Sequence, residues 1–218
     1  MGNDLYYKTV DAHLLRILRM LMESTPFDDF RLVGGTALSL QAGHRMSVDI
    51  DLFTDVAYGS ADFDGIDTFL RNNFKYVDTN SYREVGIGRA YFVGENKTDC
   101  IKLDLFYTEK FIEEVRSVDG IRLASAGEII AMKMDVVSRG GRKKDFWDIH
   151  EMIDTYSFDD MIKLHEKRYP YTHDKELIKR EFVNFENADQ DFDPICLRGK
   201  HWELIKLDLI EFAKKSSV

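Results

Sequence analysis

The sequence predicts an α+β fold, a mixed β-sheet with flanking helices followed by a mainly helical C-terminal part. Apolar and polar residues alternate at 48–53 and 101–106, and segments near 74–79, 87–94 and 99–107 are rich in Val, Ile, Tyr and Phe, as strands are. Helical periodicity opens the chain and dominates from about residue 109 onward. Hydrophobic residues make up 44% of the 218, enough to bury a sizeable core.

In chain order, residues 9–22 place Val10, Leu14, Ile17, Leu18 and Leu21 on one helical stripe. An apolar run at 30–33 ends at Gly34-Gly35, and 36–42 reads as helix. Residues 48–53 read as a strand, with Val48, Ile50 and Leu52 facing the core, and 61–72 as a helix. Ser125 and Glu128 have capping-box spacing and open a helix to about Ser138, which Gly140-Gly141 breaks. Further helices are predicted over 143–154, 158–167, 174–187 and 201–215. The expected division is a sheet core with an N-terminal helix (1–108) and a helical part packed on it (109–218).

Composition removes several function classes. No run of about 18 apolar residues predicts a membrane span. The N-terminus lacks a basic region followed by an apolar one, and Tyr6 stands where a myristoylation signal on Gly2 needs Ser or Thr. A cytoplasmic location is expected. Thirty basic against 39 acidic residues give a net charge of −9, unfavourable for non-specific nucleic-acid binding except through local clusters. Cys100 and Cys196 form no metal or disulfide pattern and read as free thiols.

The strongest chemical signal is Asp49-Ile50-Asp51. Positions i and i+2 of a strand share a face, so two carboxylates sit side by side and repel unless a cation lies between them. A hard divalent cation such as Mg²⁺ takes oxygen ligands of this kind; a solvated acidic strand edge is the alternative. Upstream, Gly34-Gly35-Thr36 reads as a turn into a helix N-terminus, where free N–H groups favour phosphate. It is neither a Walker loop nor a dinucleotide fingerprint. Asp104, on the second alternating segment, is a third acid that a neighbouring strand can bring beside the pair. Three carboxylates can hold the cations that activate a hydroxyl and steady a leaving pyrophosphate.

Gly34-Gly35-Thr36-Ala37-Leu38 followed by His44-Arg45-Met46-Ser47-Val48-Asp49-Ile50-Asp51-Leu52-Phe53 resembles the signature of AbiEii/AbiGii-type nucleotidyltransferases, within the polymerase-beta-like superfamily. Lys133, Arg139 and Lys144-Asp145-Phe146-Trp147-Asp148-Ile149 resemble the family's later motifs, and the likeness spans about residues 30–153. It implies a five-stranded or similar nucleotidyltransferase-type sheet, an NTP and Mg²⁺ site, nucleotidyl transfer with tRNA as an acceptor, and a role in toxin–antitoxin pairs or abortive infection. A linked antitoxin then need not touch the protein.

The downstream residues also carry their own reading. Ile129, Met132 and Val136 are expected to face the sheet, with Lys133 at the stripe's border. It either snorkels to water or turns into the site as a phosphate-binding cation. Arg139, Arg142, Lys143 and Lys144 form the best candidate patch for triphosphate or RNA, with a solvated loop as the alternative. Asp145 could orient Lys133 or Arg139, hold a substrate ribose hydroxyl, or simply favour its helix N-terminus. Arg45 could pair with a carboxylate or a phosphate. His150, His165, His173 and His201 show no metal spacing.

The expected assignment is therefore Asp49, Asp51 and Asp104 on Mg²⁺, with Asp104 helping to deprotonate the acceptor. Gly34, Gly35, Thr36, Arg45, Arg139, Lys144 and Asp145 would serve the nucleotide, and Lys133 would neutralise triphosphate charge. A catalytically silent nucleotide- or partner-binding protein of the same fold, or a small-molecule adenylyltransferase, is the alternative.

Overall fold

The computed structural model describes residues 4–79 and 86–215; Gly2 lies outside them. Helix α1 (Ala12–Met22) starts where Asp11 Oδ1 accepts the Leu14 N–H at 2.7 Å, an N-cap that satisfies one free donor of the first turn. Strand β1 (Arg31–Leu32) leads directly into α2 (Gly34–Ala42), which Gly43 ends in the left-handed region at φ 71°. Then come β2 (Asp49–Thr54), α3 (Phe63–Asn73), β3 (Tyr76–Thr79), β4 (Gly88–Asn96) and β5 (Asp99–Tyr107). A hairpin of β6 (Arg116–Val118) and β7 (Ile121–Leu123) precedes α4 (Ala126–Ser138) and α5 (Lys143–Glu151). The chain closes with α6 (Phe158–Arg168), α7 (Lys175–Glu181), α8 (Glu186–Asp189) and α9 (Trp202–Lys214).

The described strands form one seven-stranded sheet in the order β3-β4-β5-β2-β1-β7-β6. β2 runs parallel to β5 and antiparallel to β1; β7 runs parallel to β1. The sheet is larger than the five strands expected, and it crosses the division expected after residue 108, because the 116–123 hairpin adds two strands from the part read as helical. That hairpin turns through Asp119-Gly120, both at positive φ (51° and 79°), the conformation a two-residue connection needs.

Burial on β2 and β5 follows the pleat. Ile50, Leu52, Leu103 and Leu105 have no exposed surface and join the core that Leu14, Ile17, Leu18 and Leu21 of α1 also enter. Each such side chain contributes about 1.5–3 kcal/mol over its exposed state. Val48 departs from the expected pattern: it precedes the strand and is 62% exposed. The helix expected over 174–187 is broken into α7 and α8.

The stripe of α4 is also rotated from the expected one. Ile129, Ile130, Lys133, Met134 and Val137 are buried; Met132 is only partly covered and Val136 is exposed. Apolar residues surround this helix on all sides, so periodicity alone points to no single face. Ser125 caps α4, accepting the Glu128 N–H at 3.1 Å, but the Glu128 side chain turns to the Ile112 N–H and the buried Arg168 instead of completing a box. At the C-terminus Trp202 stacks on Trp147, fixing α9 to α5. Residues 195–197 lie along 44–46, where Met46 N–H donates to Ile195 O at 2.9 Å and Leu197 N–H to His44 O at 2.8 Å.

Candidate active site

Parallel pairing of β2 with β5 sets Asp51 opposite Asp104 and Asp49 opposite Lys102. Side chains two residues apart share a face, so Asp49, Asp51, Lys102 and Asp104 stand together on the face opposite the core. The Val33 N–H donates to Asp51 O at 2.9 Å, which lays the start of α2 against the same strand. Gly34, at φ 66°, comes so close to the Asp51 carboxylate that a Cβ there would lie 2.6 Å from Oδ2. Gly35 packs equally tightly on the Arg45 guanidinium. The glycine turn thus admits the protein's own acid and arginine at close range.

Charge is unevenly compensated on the acidic face. Lys144 Nζ lies 3.7 Å from Asp49 Oδ2, and Lys102 is ion-paired with Asp104 Oδ2. Asp104 Oδ1 is buried without a hydrogen-bond partner. Burial, then the charges of Asp104 and Asp49, push the Asp51 carboxyl up to about 6, with Lys133 and Lys144 offsetting part of this. Burial and the Arg142 charge lower the Lys144 ammonium. Among the described residues no trio of His, Cys, Asp or Glu is preassembled around a metal position. The donor set still suits a hard cation: three carboxylates on one face, one with an orphaned oxygen and one whose ionisation is opposed by burial and by its acidic neighbours.

A second, buried network lies behind this face. Asp148 of α5 receives Arg45 Nε at 2.6 Å, Arg45 Nη2 at 2.8 Å and His44 Nε2 at 2.8 Å. Lys133 Nζ of α4 reaches Asp145 Oδ1 at 2.6 Å and Asp148 Oδ2 at 2.9 Å. Asp145 Oδ2 also accepts the Arg142 N–H at 3.0 Å, closing the start of α5. Burial alone would raise the Asp148 carboxyl, but Arg45 and Lys133 outweigh it and hold the group well below the usual carboxylate range. The Lys133 ammonium is raised despite burial, through Asp148 and Asp145.

The predicted residues therefore sort into groups. Asp49, Asp51, Asp104, Lys144, Gly34 and Gly35 meet at the acidic face, and Lys133 and Asp145 join behind it. The snorkelling alternative for Lys133 is excluded, since its ammonium is buried between two carboxylates. Three residues expected to serve the nucleotide are engaged with partners inside the protein. The buried Thr36 hydroxyl donates to Asp49 O and accepts from the Ser47 hydroxyl, so it ties α2 to the acid strand. Arg45 is buried on Asp148. Arg139 is exposed and paired with Asp135 one turn back. The cationic patch is also smaller than its sequence suggests: Lys143 is buried on Asp193, leaving Arg139, Arg142 and Lys144 as the accessible charges of that group.

Sequence reasoning missed His44, Lys102 and Asp148 as site residues. The shared helix face of Asp145 and Asp148 was a signal for Asp148, and alternation with Asp104 was one for Lys102. His44 was marked only by its place in the signature stretch 44–53, and its partner is 104 residues away.

The profile of the nucleotidyl transferase AbiEii toxin family, a type IV toxin–antitoxin system, matches residues 16–217. An uncharacterised protein of Aquifex aeolicus is 30% identical over 203 residues, covering 86% of each chain. The fold is similar to that of JHP933 from Helicobacter pylori (TM-score 0.57, 17% identity, 92% of this chain and 87% of that one). It is also similar to MenT4, a nucleotidyltransferase toxin from Mycobacterium tuberculosis H37Rv (TM-score 0.56, 15% identity, 93% and 82%). A profile match across nearly the whole chain, on a fold that sets two motif acids beside a third, identifies a nucleotidyltransferase: this protein belongs to the AbiEii toxin family.

Proposed function

We propose that the protein transfers a nucleoside monophosphate from an NTP to a hydroxyl of RNA, with tRNA as the acceptor class, in a Mg²⁺-dependent reaction. The observation that carries this reading is the register of β2 and β5, with Asp51 opposite Asp104 and Asp49 one pleat away. Asp49, Asp51 and Asp104 would hold Mg²⁺, which supplies Lewis-acid stabilisation at the phosphates.

The chain's own groups do the rest. The first N–H groups of α2, which have no partner one turn back, cradle the polyphosphate. Lys144 stands beside Asp49 as a cation for the phosphates, and Lys133 adds fixed positive charge behind them. The acceptor oxygen attacks the α-phosphorus, and an O–P bond forms as the bond to the pyrophosphate oxygen breaks. Pyrophosphate leaves with that electron pair, and the hydroxyl proton passes to Asp104, whose Oδ1 has no other partner.

The toxin family supports a genetically linked antitoxin, which need not bind the protein, and action in the cytoplasm. No described helix is long and apolar enough to cross a membrane. The test is to incubate the protein with each of four α-labelled NTPs and total RNA or total protein, with Mg²⁺ or with chelator. Label in the tRNA fraction that disappears with chelator supports the reading. Label in protein or in a small molecule moves the acceptor elsewhere, and label that survives chelation removes the metal.

A further inference from the structure

β5 brings more than Asp104 to the acidic face. Lys102 shares its side of the strand, and the register sets Lys102 across from Asp49 just as it sets Asp104 across from Asp51. Neighbouring strands lie about 4.8 Å apart, so three acids and one ammonium occupy the corners of a small quadrilateral. Lys102 Nζ is paired with Asp104 Oδ2, one of the oxygens a metal would take. Among the described residues no ion pair reaches Asp51, and Asp104 Oδ1 is orphaned.

We propose that Lys102 is the resident counter-cation of this site, and that a divalent cation enters by displacing it. Lys102 then sets the metal concentration at which the protein becomes loaded. The inference rests on the metal-dependent reading above and adds a determinant to it.

Two physical points favour this assignment. An ammonium against Asp104 and a divalent ion on the same carboxylate are like charges within a few ångströms, so each disfavours the other. Lys102 can leave easily. Its side chain is 41% exposed and its compact charge sits on a flexible stem, so the displaced ammonium can regain water. Lys133 cannot, because its ammonium is enclosed by Asp145 and Asp148. The site thus holds a fixed cation in Lys133 and, on the acidic face, two cations open to solvent: Lys102 on Asp104 and Lys144 beside Asp49.

The test is a Mn²⁺ titration of the full chain without nucleotide, following the electron paramagnetic resonance signal of the free ion. Mn²⁺ prefers the same oxygen donors as Mg²⁺. Wild type, Lys102→Met, Lys102→Gln, Lys102→Arg and Asp49→Asn are compared. Removing the charge should tighten Mn²⁺ binding by about three- to tenfold in Lys102→Met and Lys102→Gln, since a neighbouring charge moves such equilibria by about one log unit. Lys102→Arg keeps the charge and should bind as wild type does. Unchanged or weaker binding in the two neutral variants, with wild-type binding that Asp49→Asn abolishes, overturns the inference and leaves the metal site standing. No Mn²⁺ binding by wild type overturns both.

Discussion

Arg45 grips Asp148 through two parallel hydrogen bonds, Nε to Oδ1 at 2.6 Å and Nη2 to Oδ2 at 2.8 Å, between residues 103 positions apart in the chain. The pair joins the segment before the acid strand to the helix that carries Lys144 and Asp145. Its carboxylate also takes His44 and Lys133, so the register of the motifs depends on one buried acid.

Asp148→Asn should therefore destabilise the fold by about 3–5 kcal/mol at neutral pH, because Arg45 and Lys133 stay buried with less countercharge. The pH dependence has a definite sign. The folded Asp148 carboxyl is depressed, so its stabilisation is present above the unfolded value near pH 4 and is lost as pH falls through the lower folded value. Denaturant unfolding between neutral and acid pH should show a steeper acid loss in wild type than in Asp148→Asn. Parallel curves would remove Asp148 from its central place.

Asp51 has the opposite sign. Its carboxyl, raised to about 6, binds more protons folded than unfolded, so its contribution without metal is full below about pH 4 and falls as pH rises through about 6. In chelator, Asp51→Asn should be more stable than wild type at pH 7, by up to about 3 kcal/mol, with the gap closing near pH 4. A thermal-shift series across that range checks it, and a less stable variant at pH 7 contradicts it.

Lys133→Met keeps the apolar stem and removes the ammonium. Transfer should fall by on the order of 10²-fold or more. Stability should fall too, because Asp145 then loses its partner at 2.6 Å while Asp148 keeps Arg45 and His44. Lys133→Met with Asp145→Asn should regain stability without regaining transfer. If the double variant recovers both, Lys133 acts only through the fold.

Gly34→Ala should disturb the acid directly. It places a side chain at φ 66° and 2.6 Å from Asp51 Oδ2, a strain of roughly 1–3 kcal/mol. Loss of both stability and Mn²⁺ affinity is expected, measured by unfolding and by metal titration; a variant with wild-type metal affinity would show that the turn and the acid are independent.

Much of this arrangement was legible because it is local. Alternation along 48–53 and 101–106 gives which residues share a face, and the pleat then places Asp49 and Asp51 together whatever surrounds them. What was not legible depends on pairs far apart in sequence. Arg45 reads equally well as a phosphate or a carboxylate ligand until α5 is packed against it. Thr36 reads as a free hydroxyl until the Asp49 carbonyl lies beside it. The β6–β7 hairpin escaped notice because its strands are three residues each, although Val118-Asp119-Gly120-Ile121 carries the Asp-Gly turn that marks a hairpin. The stripe of α4 was misjudged because Lys133 lies inside it, where only Asp145 and Asp148 make a lysine tolerable.

Transfer of label from an α-labelled NTP to RNA, by wild type, Asp49→Asn and Asp51→Asn in Mg²⁺, bears most closely on the acidic face as the catalytic centre. Folded variants that lose transfer by on the order of 10²-fold or more, with wild type silenced by chelator, are the expected result. Full transfer by both variants would contradict it.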